Sequence, residues 1–146
     1  MRIAVGADHR GVKQKEFVKK EVLALGHQPV DLGPISEESV DYPDFAEKVG
    51  KSVASGECSL GILICDTGIG MSIAANKVKG VRAALCSDAF AAERARLHND
   101  ANVLCMSGRL DERSMHEIIS KFASTGFEGG RHQRRVQKIS DIERER

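Results

Sequence analysis

The sequence predicts an α/β fold: a three-layer α/β/α sandwich around a five-stranded, mainly parallel, Rossmann-like sheet, with a C-terminal helix. Short apolar runs alternate with helix-length amphipathic segments, which is the rhythm of βαβ units. Runs such as Gly61–Ile64 lack polar alternation, as is typical of parallel strands covered by helices on both faces. A length of 146 residues with 41% hydrophobic content suits one core, so residues 1–146 are expected to form a single domain.

Five apolar runs are predicted to be the strands, and the segments between them the helices. The strands are expected at Arg2–Gly6, Pro29–Leu32, Leu60–Ile64, Arg82–Cys86 and Asn102–Met106. The first helix is expected over Val12–Leu25, because its apolar residues fall on one stripe and Gly26 follows it. A later helix is expected to start near Met71, and the charged segment Gly129–Arg146 is predicted to form the last helix.

The composition excludes several classes of partner. Twenty-two Lys and Arg residues against 21 Asp and Glu residues leave a net charge of +1, too small to attract nucleic acid or an anionic membrane. With no Trp and one Tyr, the chain also lacks the stacking surface of single-strand binders. No apolar run approaches the roughly 20 residues of a membrane span or forms a signal peptide. We therefore expect a cytoplasmic protein with a local anion site.

One of the four cysteines occupies a reactive position. Cys65 ends a predicted buried strand and precedes the turn Gly68–Gly70 and a helix. The amides of such a turn and the positive helix end favour a thiolate, and they can stabilise an oxyanion on a substrate. Cys58, Cys86 and Cys105 are interpreted as small core residues with free thiols, because no CxxC pair suggests a metal or redox site.

Polar residues follow other strands of the predicted sheet. Ligands of open parallel sheets bind beyond the carboxyl ends of the strands. Asp8 and His9 follow the first strand and Arg109 the fifth, whereas His98 and Asn99 lie in the helix after the fourth. Each histidine can act as an acid or base or bind an anion. Asp8, His9 and His98 also leave a metal site open, although no tight ligand spacing supports one.

Two arginines near the start of the last helix suggest a phosphate site. Arg131 and Arg135 are four residues apart and share one helical face. Two guanidinium groups and a helix N-terminus suit a phosphate dianion, while a solvated charged tail is the alternative interpretation. The turn at Gly68–Gly70 is not a nucleotide loop, because no Gly-Lys-Ser/Thr ending follows and Ile73 replaces the third glycine of a dinucleotide motif.

Six motifs lie in order along nearly the whole chain. They are Ala7–His9, Glu38–Asp44, Cys65–Lys77, Val81–Ala84, His98–Val103 and Gly129–Val136. Together they closely resemble the ribose-5-phosphate isomerase B family, which includes galactose-6-phosphate and allose-6-phosphate isomerases. The resemblance implies an aldose–ketose isomerase that interconverts ribose 5-phosphate and ribulose 5-phosphate through an enediolate, without a cofactor or metal.

The resemblance also implies a role for each matching residue. Cys65 is the base between C1 and C2, His98 opens the furanose ring with Asp8, and Thr67 holds the enediolate with the amides of Gly68, Ile69 and Gly70. The phosphate-binding positions are His9, Arg109, Arg131 and Arg135, and the residues lining the sugar are Tyr42 and Asn99. The family works as a homodimer, sometimes paired into a tetramer, in which His98, Asn99 and Arg109 reach into the partner's site.

The residue between Cys65 and Thr67 departs from the family, which usually has Gly where this chain has Asp66. Three interpretations are open: the carboxylate opposes the thiolate, it caps the following turn, or it binds a substrate hydroxyl and selects another sugar. Two functional alternatives also remain. One is an isomerase of a hexose 6-phosphate, and the other is a non-catalytic sugar-phosphate-binding partner subunit, against which the retention of Cys65 argues.

Overall fold

The structure, a computed structural model, describes all 146 residues, and its helices pack around one five-stranded sheet. The strands are β1 (Arg2–Ala7), β2 (Gln28–Asp31), β3 (Leu60–Cys65), β4 (Ala83–Leu85) and β5 (Val103–Ser107). The α-helices are α1 (Val12–Ala24), α2 (Tyr42–Ala54), α3 (Ile69–Ala75), α4 (Ala89–Asn99), α5 (Glu112–Ser124) and α6 (Arg131–Arg144), and a 3₁₀ turn covers His9–Gly11.

The sheet confirms the predicted fold class and is parallel throughout, in the order β2-β1-β3-β5-β4. All five strands lie within two residues of their predicted positions. The helix expected near Met71 begins at Ile69, so Gly70 lies in its first turn and not in the preceding loop. None of the helices combines the length and the apolar character that a membrane crossing requires.

The core has two halves because successive strand residues point to opposite faces of the sheet. One half joins β1, β3 and β5 to α1, α4 and α5, and includes Ile62, Ile64 and Leu104. The other half joins Leu63 and Cys105 to α2 and α3. All six residues of β3 are buried, which explains why its sequence has no polar alternation.

Each strand ends at one edge of the sheet, and the helix that follows it ends at the opposite edge. We call these the carboxyl edge, where the strands end, and the amino edge, where they begin. The helix between two parallel strands must run back from the first edge to the second. The last turn of α4 therefore lies at the amino edge, where the Glu128 N–H donates to the Leu97 carbonyl at 3.1 Å and brings in the start of α6.

A buried lysine ties α1 to the segment after β2. The Lys15 side chain is 1% exposed, and its Nζ donates to Asp31 Oδ1 at 2.8 Å and to the Pro34 carbonyl. Lys19 Nζ donates to the other Asp31 oxygen at 2.9 Å. Burial alone would raise the pKa of Asp31, but the hydrogen bonds from the two lysines hold it below its usual value. The carboxylate is therefore ionised and shared between one buried and one partly exposed cation.

We predict that Lys15→Met lowers the free energy of unfolding by about 2–4 kcal/mol, because the Pro34 carbonyl loses its buried donor and Asp31 loses one of its two cations. Lys19→Met is the matched control, since Lys19 bonds the same carboxylate from a more exposed position. Its loss should cost about 1 kcal/mol or less. Urea unfolding of both variants provides the measurement, and equal losses would contradict the prediction.

Candidate active site

The turn after β3 brings a backbone amide to the sulfur of Cys65. The Cys65 side chain is nearly buried, at 7% exposure, and its Sγ accepts a hydrogen bond from the Gly68 N–H at 3.0 Å. Gly68 has a φ of +80°, and a Cβ there would lie 2.6 Å from Leu85 Cδ1 and 2.9 Å from the Met106 carbonyl carbon. Only glycine combines this conformation with this close approach, so Gly68 fixes the turn beside the thiol.

The same turn forms one wall of an open cavity of about 390 Å³. Thr67 Oγ1 accepts from the Ile69 N–H at 3.2 Å, which orders the start of α3. A Cβ on Gly70 would lie 2.5 Å from the Tyr42 ring, so the missing side chain lets the ring pack against the turn. The residues lining the cavity are Asp8, Tyr42, Cys65, Asp66, Thr67, Ile69 and Gly70.

Asp8 and His9 are held at the end of β1 by backbone amides. Asp8 is buried, and its Oδ1 accepts from the Gly11 N–H at 2.8 Å, capping the 3₁₀ turn. His9 Nδ1 accepts from the Val40 N–H at 3.2 Å. The neutral His9 ring must then carry its proton on Nε2, where it can act as a hydrogen-bond donor to a ligand.

Asp66 forms an ion pair with Arg109, across the gap between the loops after β3 and β5. Its two carboxylate oxygens accept from Arg109 Nε at 2.9 Å and Nη2 at 3.1 Å. The hydrogen bonds from Arg109 hold the pKa of Asp66 below its usual value. The capping interpretation is wrong, because the Gly68 and Ile69 amides bond to Cys65 and Thr67 instead. The ion pair also offsets the charge that was expected to oppose the thiolate.

A second group of predicted site residues lies at the amino edge. His98 is in the last turn of α4, and its ring stacks on that of His132 with centroids 4.1 Å apart. Five residues of β5 separate the two edges, a distance of roughly 16 Å. A single chain therefore does not bring His98 into contact with Cys65.

The predicted residues thus divide into two clusters. The carboxyl-edge cluster contains Asp8, His9, Tyr42, Cys65, Thr67, Gly68, Ile69, Gly70 and Arg109. The amino-edge cluster contains His98, Asn99, Arg131 and Arg135. Arg109, expected to serve the partner's site, lines a cavity beside Cys65 of its own chain. The possible metal ligands Asp8 and His9 are likewise separated from His98 within the chain.

Sequence reasoning missed two features of these clusters. The pairing of Asp66 with Arg109 joins residues 43 positions apart and leaves no local signal. The His132 side chain is 7% exposed and stacks on His98, although a charged segment gives no reason to expect a buried ring. The one available signal was its position four residues after Glu128, whose Oε2 lies 3.4 Å from His132 Nε2.

The other cysteines are unsuited to act as bases. All four thiols are free, as predicted, and all four are buried. Burial raises the pKa of Cys86 to about 11, and it also raises the pKa of Cys105. Cys58 belongs to the core half packed under α2. Cys65 alone among them lines the cavities at the carboxyl edge.

Comparisons with known proteins match this chain over almost its whole length. The family model described as Ribose/Galactose Isomerase matches residues 3–139. Ribose-5-phosphate isomerase B of Escherichia coli is 42% identical over 146 residues, covering 99% of this chain and 98% of the relative. A putative sugar phosphate isomerase of Bacillus subtilis, YwlF, is 48% identical over 145 residues, covering 98% and 97%.

Solved structures agree with the sequence relatives. Ribose-5-phosphate isomerase B of Clostridium thermocellum has a TM-score of 0.97 at 44% identity, with 99% of each chain covered. The Mycoplasma genitalium ribose-5-phosphate isomerase B, solved with bound ribulose 5-phosphate, has a TM-score of 0.94 at 43% identity, covering 99% of this chain and 97% of the other. The resemblance seen in the six motifs is confirmed, and the chain belongs to the ribose/galactose isomerase family of sugar-phosphate isomerases.

Proposed function

We propose that this chain interconverts ribose 5-phosphate and ribulose 5-phosphate through an enediolate, with Cys65 as the base and without a cofactor or metal. The observation that carries the proposal is the nearly buried Cys65 thiol, which accepts the Gly68 N–H beside a turn of further amides. The relatives named as ribose-5-phosphate isomerases, one of them solved with ribulose 5-phosphate, support the choice of a pentose phosphate.

The isomerisation moves one proton between neighbouring carbons. The Cys65 thiolate takes the proton from C2 of the open-chain aldose, which leaves an enediolate over C1 and C2. A proton then moves from O2 to O1, the resulting thiol returns its proton to C1, and the ketose forms. A well-placed base contributes roughly 10²–10⁴-fold in rate. The Thr67 hydroxyl and the amides of Gly68–Gly70 would stabilise the negative charge on the enediolate, by about 3 kcal/mol for each well-aimed donor.

Two chains would complete the site, because ring opening requires His98 and the phosphate requires Arg131 and Arg135. In a homodimer the amino-edge cluster of each protomer can enter the carboxyl-edge cluster of the other, which forms two identical sites. Arg131 and Arg135 are exposed and form no ion pair within the chain. They therefore remain available for a phosphate that also contacts His9 of the other protomer. Further pairing of dimers would give a tetramer. We expect residues 1–146 to act as a single domain in the cytoplasm.

The choice between pentose and hexose phosphates is tested by a substrate panel. The matched family description includes galactose isomerases, and Asp66 adds a carboxylate to the cavity wall. Ribose 5-phosphate, allose 6-phosphate and galactose 6-phosphate would be compared on the pure chain, with and without a chelator. The highest kcat/KM should be on ribose 5-phosphate. A preference for a hexose phosphate would move the assignment to that branch, and no turnover of any would favour a non-catalytic partner subunit.

We predict that Cys65→Ala abolishes isomerisation but leaves the affinity for ribose 5-phosphate within about threefold, because the thiolate moves a proton and contributes little to phosphate binding. Turnover and binding by calorimetry measure the two effects. Cys58→Ala, which removes a buried thiol from the core, is the control and should keep its turnover. Near-normal turnover by Cys65→Ala would contradict the assignment of the base.

We predict that mixing Cys65→Ala with His98→Ala protein restores activity, because each mixed dimer has one site with both defects and one with neither. After complete subunit exchange at equal concentrations, half of the dimers are mixed, so about one quarter of the wild-type activity should return. Exchange is verified by native mass spectrometry of a tagged subunit. Verified exchange without recovery would show that each chain carries its own complete site.

We predict that Asp66→Asn lowers the KM for ribose 5-phosphate by about twofold to fivefold, because Asp66 and the phosphate compete for the Arg109 guanidinium and an exposed ion pair is weak. The amide keeps the shape of the side chain and removes its charge. Glu93→Gln weakens the ion pairs of Glu93 with Lys121 and Arg94 and should leave the KM unchanged. A KM unaffected by Asp66→Asn would mean that Arg109 does not bind the phosphate.

A further inference from the structure

The two histidines at the amino edge form a parallel stack beside one carboxylate. The His98 and His132 rings are 4.1 Å apart and inclined by only 13°. Glu128 Oε2 lies 3.6 Å from His98 Nε2 and 3.4 Å from His132 Nε2. The three ligand atoms lie within 4.8 Å of one another, as in a possible metal site. However, nearly parallel rings direct their nitrogen lone pairs side by side and not towards a common ion.

The two rings have different surroundings. His98 is about one-third exposed, so its ring faces solvent or a second chain, whereas the His132 side chain is almost completely buried. His132 Nε2 has no hydrogen-bond partner although it is buried. A buried polar atom without a partner destabilises a fold, and such exceptions call for an explanation. Simple core packing does not explain a histidine here, since an apolar side chain would avoid this defect.

We propose that His132 is a positioning residue for the ring-opening histidine: its buried ring holds His98 by face-to-face stacking, and so fixes the orientation in which His98 enters the partner's site. This inference rests on the proposed function, in which His98 opens the sugar ring. Flat rings that stack lose the freedom to rotate out of plane, and small misplacements of an acid or base are costly in rate.

The charges around the stack fit this role. Burial has the largest effect and lowers the pKa of His132. The neighbouring His98, Arg131 and Arg135 lower this pKa further, whereas Glu128 raises it. The lowered pKa favours the neutral form of the His132 ring. A neutral neighbour supports the His98 ring without repelling the imidazolium that forms during proton transfer.

Two reactions allow ring opening to be measured separately from the proton transfer by Cys65. Ribulose 5-phosphate cannot close a five-membered ring, because its O5 carries the phosphate. In D₂O, Cys65 can remove a hydrogen from C1 of ribulose 5-phosphate as a proton. The thiol then exchanges this proton for a deuteron from the solvent and returns the deuteron to C1. No ring has to open in this reaction. Consumption of ribose 5-phosphate instead begins with a closed furanose and requires both steps. NMR measures the exchange, and a ketose assay measures the consumption.

The variants are chosen to retain or remove the stacked ring. His132→Phe keeps a flat ring, whereas His132→Gln keeps polarity and similar size but cannot stack. We expect His132→Gln to lower kcat on ribose 5-phosphate by roughly 10–100-fold, and His132→Phe by less than about threefold. Both should keep the C1 exchange of ribulose 5-phosphate and the KM within about threefold. His116→Ala, an exposed histidine paired with Glu21, is the control and should change neither reaction.

Each result has one interpretation. The positioning role would be overturned if His132→Gln lost C1 exchange to the same extent as isomerisation. It would also be overturned if this variant kept full isomerisation activity. Equal losses in the Phe and Gln variants would show that stacking is not the reason. The proposed function fails separately: His98→Ala must show the same selective loss, and Cys65→Ala must lose both reactions. If His132→Gln does not fold, as judged by its thermal transition, a large loss in folded His132→Phe still contradicts the proposal.

Discussion

The hydrogen bond from the Gly68 amide to the Cys65 sulfur is the contact on which the carboxyl-edge cluster depends. It requires a left-handed residue at position 68, and it requires that residue to lie directly over the backbone of Met106 and the side chain of Leu85. Residues of β4 and β5 therefore pack against the turn and fix its position. The Gly108 N–H donates to the Cys65 carbonyl at 2.8 Å, which fixes the other side of the same residue. The position of the thiol is thus set by three strands and not by its own loop alone.

Parallel topology creates the site and also divides it. Every strand ends at one edge, so Asp8, Cys65 and Arg109 meet there although they are far apart in sequence. Every returning helix ends at the opposite edge, which places His98 and the start of α6 about one strand length away. If Cys65 and His98 act on one substrate, as we propose, this fold can present both of them to it only when two copies combine. The division within a chain is therefore a physical argument for association.

The sequence was informative where the cause is local. Apolar runs without alternation predicted β3, and the Gly-rich turn after a strand pointed to Cys65, because burial and turn conformation act over a few residues. The separation of His98 from Cys65 follows from the direction of α4, which hydrophobic periodicity does not report. The Asp66–Arg109 ion pair and the His98–His132 stack depend on side chains from distant segments, whose rotamers no local pattern records. The family resemblance supplied residue roles, but it offered no explanation for Asp66.

The distribution of ion pairs is compatible with the proposed phosphate site in a nearly neutral chain. Most arginines elsewhere have carboxylate partners; Arg82 and Arg96, for example, both bind Asp100. In the first turns of α6, neither Arg131 nor Arg135 has such a partner, and burial lowers the pKa of His132, which lies between them. These two guanidinium groups therefore place unpaired positive charge at the edge that the proposed second subunit would contact. In the proposed dimer, this local lack of pairing, and not the net charge, would attract an anionic sugar.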